Sequence, residues 1–435
     1  MFSLLARSGM ATGTRLFGAA LTFATQILLA RLLSPESLGV YFIAVSAAAI
    51  AAIVGCLGFP GTTARFVARY QTRNRQGLKN SFARLSQHDV LLASSLIAFA
   101  IAVSSLALLD REFGVPLALS ATAIPALSIL RLNSALALAG RQPWVAYLPD
   151  MVGRPLLLVL MLVAAYWAGF SVGLVGVLLM SVFAALALAT AQMWPVRRLY
   201  GGGRQSPSPS SRLRRLWRST SLPLLPVALL VGLFADTNLL LLSTIMEPAE
   251  IAIYGVALKL AFLAGYGIQA SQQLMLPDMA EAMARSDTAE LRRALTRTLA
   301  TSALVAMLAL VTLAAAGPYV LALFGPHYEA GYGAMLILVA AQIFRIPEGI
   351  AVQFLTVSGH AIRVLVNLGI TTLVLAASSV ALVPLWGPIG AAVGVLLTLL
   401  ASSIIFVATA IAIFRRRSRR REGNAFPPPR YSPGQ

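Results

Sequence analysis

Long apolar stretches alternate with short polar connections along almost the whole chain of 435 residues. An apolar α-helix needs about 20 residues to cross the hydrocarbon core of a bilayer, and stretches of that length recur throughout the sequence. The pattern predicts an all-α polytopic membrane protein with about twelve transmembrane helices. The predicted spans lie near 11–33, 38–59, 89–109, 115–139, 144–168, 172–192, 222–243, 250–275, 295–316, 331–357, 362–384 and 388–414.

Arginine and lysine residues concentrate in alternate connections between these spans. Segments 60–88, 193–220 and 276–297 are strongly basic, as is the chain after residue 414, whereas the opposite turns carry little beyond Arg111. Loops rich in basic residues stay on the cytoplasmic side of a membrane. The pattern therefore predicts that both termini are cytoplasmic, which requires an even number of spans.

The composition is far from that of a soluble domain. Hydrophobic residues make up 58% of the chain and charged residues 11%, and the mean hydropathy is +0.80. A net charge of +19 could indicate binding to nucleic acid, but the arginine clusters flank predicted spans, where they favour anionic lipid headgroups. We expect anionic lipids at the cytoplasmic surface as partners, and no nucleic acid.

Residues that commonly support catalysis or metal binding are few and scattered. The single cysteine, Cys56, lies in a predicted span, so one chain can form neither a disulfide framework nor a thiolate metal site. His88, His327 and His360 show no metal-ligand spacing, and no Gly-Lys-Ser/Thr phosphate loop occurs. The sequence predicts no enzymatic activity, no metal and no cofactor.

A segment rich in Gly, Ser, Pro and Arg divides the chain into two halves. It covers 201–218 and is predicted to be a flexible cytoplasmic linker between six-helix lobes at 1–200 and 219–414. The basic tail, 415–435, is predicted to be disordered.

The two halves also resemble each other in sequence. Residues 33–41 align with 246–254, which places Pro35 on Pro248 and Tyr41 on Tyr254. Both segments follow the first span of their half. Two halves that enter the membrane in the same orientation are parallel repeats, and a cavity is expected between them.

The segment 28–41 resembles the end of the first helix in Wzx-type polysaccharide flippases of the MOP exporter superfamily. That resemblance implies export of an undecaprenyl-pyrophosphate-linked oligosaccharide across a bacterial inner membrane, with a polysaccharide polymerase and a chain-length regulator as further partners. Similar landmarks in the second half are Asp236, Tyr254, Ala257, Lys259, the turn 323–330 and the segment 386–392.

Three other functions remain open as alternatives. A MATE-type drug/cation antiporter relies on acidic residues in its cavity, whereas the predicted spans here carry more basic than acidic residues. A lipid II flippase usually has more spans, and a membrane glycan polymerase or ligase usually has a larger outer loop. The excess of cations favours an anionic substrate.

Four basic residues inside or beside predicted spans are candidates to bind that substrate: Arg345, Arg131, Lys259 and Arg15. A charge at the middle of a span is costly unless it faces a wet cavity or a partner. Arg345 and Arg131 lie on corresponding helices of the two halves and could flank one pyrophosphate. Alternatively, Arg345 pairs with Glu348, and both Arg131 and Arg15 extend toward the cytoplasmic surface.

Two acidic residues, Asp236 and Glu348, are candidates for coupling transport to an ion gradient. No nucleotide site is predicted, so uphill transport would draw on such a gradient or on consumption of the product; H⁺ and Na⁺ both remain open. Asp236 and Lys259 are predicted to lie at similar depth in a helical hairpin. They form either a structural ion pair or a coupling group beside a headgroup ligand.

Overall fold

The computed structural model describes residues 2–201, 209–232, 234–285, 288–357 and 360–423. Every regular element in these ranges is a helix, and the ranges contain no strand. The prediction of an all-α protein is confirmed.

The first lobe consists of α1 to α9. Its second helix illustrates how the sequence starts these elements: the Ser34 side chain accepts the backbone N–H of Ser37 at 3.3 Å, and Pro35 occupies the first helical position. A π-helical turn, Leu148–Gly153, joins α7 to α8. The helices are α1 (Phe2–Leu32), α2 (Pro35–Gly55), α3 (Phe59–Thr72), α4 (Gln76–Leu108), α5 (Arg111–Ala121), α6 (Ile124–Ala139), α7 (Pro143–Tyr147), α8 (Arg154–Trp167) and α9 (Leu174–Tyr200).

The second lobe consists of α11 to α17, and α10 lies between the two lobes. Helix α13 begins at Pro248, the residue that aligns with Pro35 in the predicted repeat. A 3₁₀ turn, Gln342–Phe344, interrupts the fourth span of this lobe. The helices are α10 (Ser211–Ser221), α11 (Leu225–Gly232), α12 (Phe234–Leu242), α13 (Pro248–Arg285), α14 (Thr288–Ala322), α15 (Tyr332–Ala341), α16 (Arg345–Val357) and α17 (Ala361–Gly423).

Helix α17 contains two spans that meet at Gly387. The backbone there has φ 52° and ψ −131°, a conformation that favours glycine. The apolar stretch Ile362–Phe414 has 53 residues, and one continuous helix of that length would extend about 80 Å, far beyond a bilayer core of about 30 Å. Ser378 donates a hydrogen bond to the carbonyl of Gly394 at 3.2 Å, so the chain reverses direction between them.

Nine segments of the described ranges are long and apolar enough to cross a membrane, and a bent pair formed by Ser211–Leu230 and Phe234–Leu242 makes ten. All twelve predicted stretches nevertheless lie in helical parts of the chain. The numbers differ because α17 counts once although it holds two spans, and because Phe17–Leu32 is apolar but shorter than the others.

The connections between spans contain more helix than the sequence predicts. Helix α3 fills part of the basic segment 60–88, and α10 fills the second part of the predicted flexible linker, because each buries aromatic residues against the first lobe. Helix α17 continues into the basic tail and ends at Gly423, while disorder of the tail stays a prediction. Residues 202–208 and 424–435 lie outside the described ranges.

Both lobes contribute to one hydrophobic core at one end of the bundle. We call this the far end; it holds the turns that follow α1 and α12. The shared core includes Leu38 and Phe42 of α2 together with Tyr254 and Leu258 of α13. The lobes are therefore packed tightly against each other at this end.

The opposite end, where α10 packs on α3, is called the linker end, and there the lobes have separate cores. In the first lobe Phe82 packs with Trp217. In the second lobe Ile346 and Phe406 belong to two further clusters that contain only second-lobe residues among those described. The described hydrophobic packing thus joins the lobes at the far end and leaves them distinct at the linker end.

Close backbone contact and hydrogen bonds hold the far end together. A Cβ atom built on Gly39 of α2 would lie 1.8 Å from the carbonyl oxygen of Pro248 in α13, so only glycine fits. Arg31 at the end of α1 donates hydrogen bonds to the carbonyls of Leu323 at 2.7 Å and Ala322 at 2.8 Å. These carbonyls lie at the C-terminal end of α14, where a cation also interacts favourably with the helix dipole.

The contact at Gly39 predicts that Gly39→Ala destabilises the closed far end. The added methyl group must push α2 away from α13, and overpacking of this kind costs about 1–3 kcal/mol. We expect a lower midpoint of thermal unfolding for the purified protein in detergent. Gly369→Ala is the matched control, because a Cβ at Gly369 has no neighbour within 4 Å. An unchanged midpoint for Gly39→Ala would contradict the packing described.

Candidate functional site

A cavity of about 200 Å³ lies between the two lobes. Helices α1, α2, α5, α6, α8 and α9 line it from the first lobe, and α12 and α13 line it from the second. Its charged lining residues are Asp150, Arg154, Asp236 and Lys259. Two of the residues predicted from the sequence therefore face one cavity at the lobe interface.

Asp236 of α12 contacts the first lobe directly. Its Oδ1 atom accepts a hydrogen bond of 2.9 Å from the hydroxyl of Ser46 in α2. Two residues further along α12, Asn238 donates a 2.6 Å hydrogen bond to the hydroxyl of Tyr254 in α13. Both residues of that second bond are fully buried, so it fixes α12 against α13 and orients Asp236 toward the other lobe.

Lys259 of α13 also reaches across to the first lobe. Its Nζ atom donates a 2.8 Å hydrogen bond to the side-chain oxygen of Gln26 in α1. The same ammonium group lies 3.5 Å from the centroid of the Phe42 ring, within the range of a cation–π interaction. Gln26 and Phe42 thus supply the polar and aromatic contacts that a cation at this depth requires.

Asp236 and Lys259 do not form a direct ion pair. Among the ion pairs of the described residues, none within 4.0 Å joins them, although they are close enough for each charge to act on the other. Each side chain is instead hydrogen-bonded to a neutral residue of the opposite lobe. The hypothesis of a structural Asp236–Lys259 salt bridge is therefore not supported by the geometry.

Asp150 and Arg154 form the intrahelical ion pair that their spacing predicts, with 3.3 Å between Arg154 Nε and Asp150 Oδ1. The sequence did not predict that both residues line the cavity. The two side chains are 40% and 39% exposed; Asp150 lies within the π-helical turn Leu148–Gly153, and Arg154 directly follows it. A π-helical turn often marks a functional site. The signal in the sequence is the pair of prolines, Pro149 and Pro155, that stand on either side of Asp150 and Arg154 and indicate an irregular helix there.

Arg345 lies at the break between α15 and α16, directly after the 3₁₀ turn. Its guanidinium group is 5.2 Å from the centroid of Phe262 and 5.9 Å from that of Phe234. It does not line the 200 Å³ cavity, although Phe234 is adjacent in sequence to cavity residues of α12. Arg345 is thus held between two aromatic rings of its own lobe.

Glu348 is bound within the second lobe and does not pair with Arg345. Its Oε1 atom accepts a 2.7 Å hydrogen bond from Ser402 of α17, and none of the ion pairs found among the described residues includes it. The other carboxyl oxygen, Oε2, is buried without a hydrogen-bond partner. An unsatisfied carboxyl oxygen at this depth can accept a proton or a cation.

The two remaining predicted residues lie on helices of the first lobe. Arg131 of α6 is half-buried and does not line the cavity, but its charge acts on Asp236. Arg15 lies on α1, and its side chain is outside the part of the protein that is described. The structure therefore brings Asp236 and Lys259 together in the cavity wall, and it holds Arg345 against Phe234 and Phe262 in the second lobe.

The charges that line the cavity are balanced, which differs from the cationic cavity that the sequence predicts. Lys259 and Arg154 are matched by Asp236 and Asp150. Arg131 and Arg345 are not among the lining residues. Within the described ranges, no three His, Cys, Asp or Glu side chains converge as ligands for a metal ion.

Comparison with solved structures identifies the class of fold. An inward-facing multidrug resistance MATE family transporter of the MOP superfamily superposes with a TM-score of 0.74 and 14% identity, over 95% of this chain and 100% of that chain. The lipid II flippase MurJ in an inward closed conformation gives a TM-score of 0.71 and 12% identity, over 92% and 87% of the two chains. An outward-facing MATE transporter gives 0.64 and 12%, over 95% and 96%. The protein therefore has the two-lobed MOP fold of multi-pass membrane transporters.

The family follows from the sequence itself. The chain belongs to the polysaccharide biosynthesis protein family, whose model matches residues 4–283. No curated protein matches the sequence. The family and the fold together support a membrane flippase or exporter, and the resemblance to Wzx-type polysaccharide flippases is confirmed at this level.

The cross-lobe contacts of Asp236 predict that Asp236→Asn leaves the folded yield unchanged. Asparagine keeps an oxygen that can accept the hydrogen bond from Ser46, and no direct salt bridge to Lys259 is lost. Asn238→Leu is the comparison, because it leaves the buried Tyr254 hydroxyl unpaired at a cost of about 1–3 kcal/mol. Size-exclusion chromatography of the detergent-purified proteins measures the folded yield of both variants. A yield lost in Asp236→Asn and restored by adding Lys259→Met would contradict the geometry.

Proposed function

We propose that the protein is a flippase that moves an undecaprenyl-pyrophosphate-linked oligosaccharide from the cytoplasmic to the periplasmic leaflet of a bacterial inner membrane. The observation that carries this proposal is a charged cavity between two lobes, in a chain of the polysaccharide biosynthesis family. The polymer would be an O-antigen, a capsule or an exopolysaccharide.

The packing of the lobes supports an alternating-access mechanism. A drug-sized ligand occupies a pocket of about 300–1,000 Å³, so a cavity of about 200 Å³ is too small for an oligosaccharide headgroup. The lobes must part to admit it. Separate cores at the linker end make that end the natural entrance, and the shared core at the far end keeps the exit closed.

The charge pattern of the chain orients this cycle in the membrane. The arginines at the end of α9 and on α10 lie at the linker end, and the positive-inside rule supports a cytoplasmic position for that end and for both termini. Substrate then enters from the leaflet in which it is made, with its headgroup in the cavity and its polyprenyl tail in the bilayer.

Basic residues near the cavity would bind the pyrophosphate. Arg345 and Arg131 each offer several donors suited to phosphate oxygens, Lys259 offers a point charge in the cavity, and Arg15 would meet the substrate at the entrance. Because the lining charges balance, an arriving anion gains most from Arg131 and Arg345, which no carboxylate within 4.0 Å neutralises among the ion pairs of the described residues.

Asp236 and Glu348 are the candidate sites for coupling to H⁺ or Na⁺. Asp236 is hydrogen-bonded across the lobe interface, so its protonation state would change the contact that holds the lobes together. Glu348 carries a buried oxygen without a partner. A polysaccharide polymerase and a chain-length regulator are the expected partners that consume the product.

A transport assay distinguishes this function from the related ones. The purified protein is reconstituted in liposomes, and movement between leaflets is measured for a lipid-pyrophosphate-linked oligosaccharide, for lipid II and for a cationic dye. We expect transport of the lipid-linked oligosaccharide alone. Transport of the dye would indicate a MATE-type antiporter, transport of lipid II would indicate a lipid II flippase, and polymer formation would indicate an enzyme.

The aromatic contacts of Arg345 predict how its variants behave in that assay. Arg345→Ala removes the cation and should reduce transport to the level of empty liposomes. Arg345→Lys keeps a cation between Phe234 and Phe262 but loses paired donors, so we expect partial activity. Arg363→Ala, an exposed arginine at the start of α17, serves as control. Normal transport by Arg345→Ala, with normal reconstitution, would refute the role.

A further inference from the structure

A second cavity, of about 690 Å³, opens beside α10 at the linker end. Three arginines on one face of α10 line it: Arg214, Arg215 and Arg218. The remaining wall is partly apolar and includes Leu57, Phe59 and Leu222. None of these residues contributes to the cavity between the lobes.

Helix α10 is fixed firmly on the first lobe, so this cavity has a defined shape. Trp217 is completely buried, and its indole N–H donates a 2.8 Å hydrogen bond to the hydroxyl of Tyr70 in α3. Arg218 donates two hydrogen bonds of 2.7 Å to the carboxylate of Asp89 in α4. On the following turn, the hydroxyls of Ser221 and Thr62 lie 2.8 Å apart.

The arginines of the cavity retain unused positive charge and donors. Arg218 is neutralised by Asp89. Among the described residues Arg214 has one hydrogen-bond partner, the carbonyl of Pro209, to which its Nε atom donates at 3.1 Å. Arg215 has no hydrogen bond or ion pair with any residue that the structure describes. Two guanidinium groups are thus available to an anion in a cavity that also has apolar walls.

The surroundings indicate that the anion is the headgroup of an amphiphile. Leu216 and Leu222 of this segment are 47% and 55% exposed, as expected for side chains that contact a bilayer. At the end of α9, the guanidinium of Arg198 lies 3.5 Å from the centroid of Trp194, a pairing suited to the membrane–water interface. Arginine binds phosphate oxygens through paired hydrogen bonds.

We propose that this cavity binds an anionic glycerophospholipid, with Arg214 and Arg215 on its phosphate and Leu57 and Leu222 against its glycerol and first methylene groups. The site is separate from the transport cavity. Because α10 connects the two lobes, a lipid bound here holds the connection at the membrane surface while the lobes move.

Lipid binding by the full-length protein tests this site. The detergent-purified protein is titrated with dioleoylphosphatidylglycerol or dioleoylphosphatidylcholine, and bound lipid is measured by native mass spectrometry. The double variant Arg214→Gln with Arg215→Gln should bind phosphatidylglycerol about tenfold more weakly, because two charge-assisted contacts are lost. Phosphatidylcholine carries a phosphate whose charge is offset by its own ammonium group, so its binding should be weaker from the start and should fall by a smaller factor.

Arg212→Gln is the matched control, because Arg212 is exposed on the same helix but does not line the cavity. It should bind phosphatidylglycerol as the unchanged protein does. If the double variant folds poorly, phosphatidylglycerol binding is measured with the single variant Arg215→Gln. This change removes no contact within the described fold, because Arg215 has no partner there. Equal losses in the control and the cavity variants would overturn the proposal. So would unchanged phosphatidylglycerol binding by the double variant. Undecaprenyl pyrophosphate is titrated in the same way, and loss of its binding alone would assign the site to the carrier lipid.

Discussion

The cost of placing charged side chains in hydrocarbon determines how the two lobes fit together. Asp236 and Lys259 belong to the second lobe, but their hydrogen-bond partners, Ser46 and Gln26, belong to the first. Each charge is therefore satisfied only while the lobes are in contact. The fold depends on these two hydrogen bonds between the lobes, because without them Asp236 and Lys259 would face the cavity with no polar partner.

This arrangement links movement of the lobes to the charges between them. In the proposed cycle, opening at the far end separates Ser46 from Asp236 and Gln26 from Lys259, and it also breaks the hydrogen bonds of Arg31 to the end of α14. The freed groups then need water, an ion or the pyrophosphate of the substrate. A substrate that supplies these contacts stabilises the open state by its differential affinity.

The sequence predicts the helices well, because they follow from apolar runs and short turns. It also predicts the repeat, and Pro35 and Pro248 each begin a helix. The hydrogen-bond partners of Asp236 and Lys259 could not be predicted. Hydropathy and spacing place Asp236 and Lys259 at one depth, but they do not show which helix face meets the other lobe. For the same reason the cavity positions of Asp150 and Arg154 emerged only from the folded structure.

The central claim is that the lobes close at the far end while they are distinct at the linker end, and that transport reverses this. Pulsed electron paramagnetic resonance can measure it with spin labels at exposed positions, using Glu112 and Glu329 for the far end and Arg73 and Arg363 for the linker end. On addition of the lipid-linked oligosaccharide in liposomes, we expect the far-end distance to increase and the linker-end distance to decrease. Two distances that stay constant, or that change in the same direction, would contradict the account.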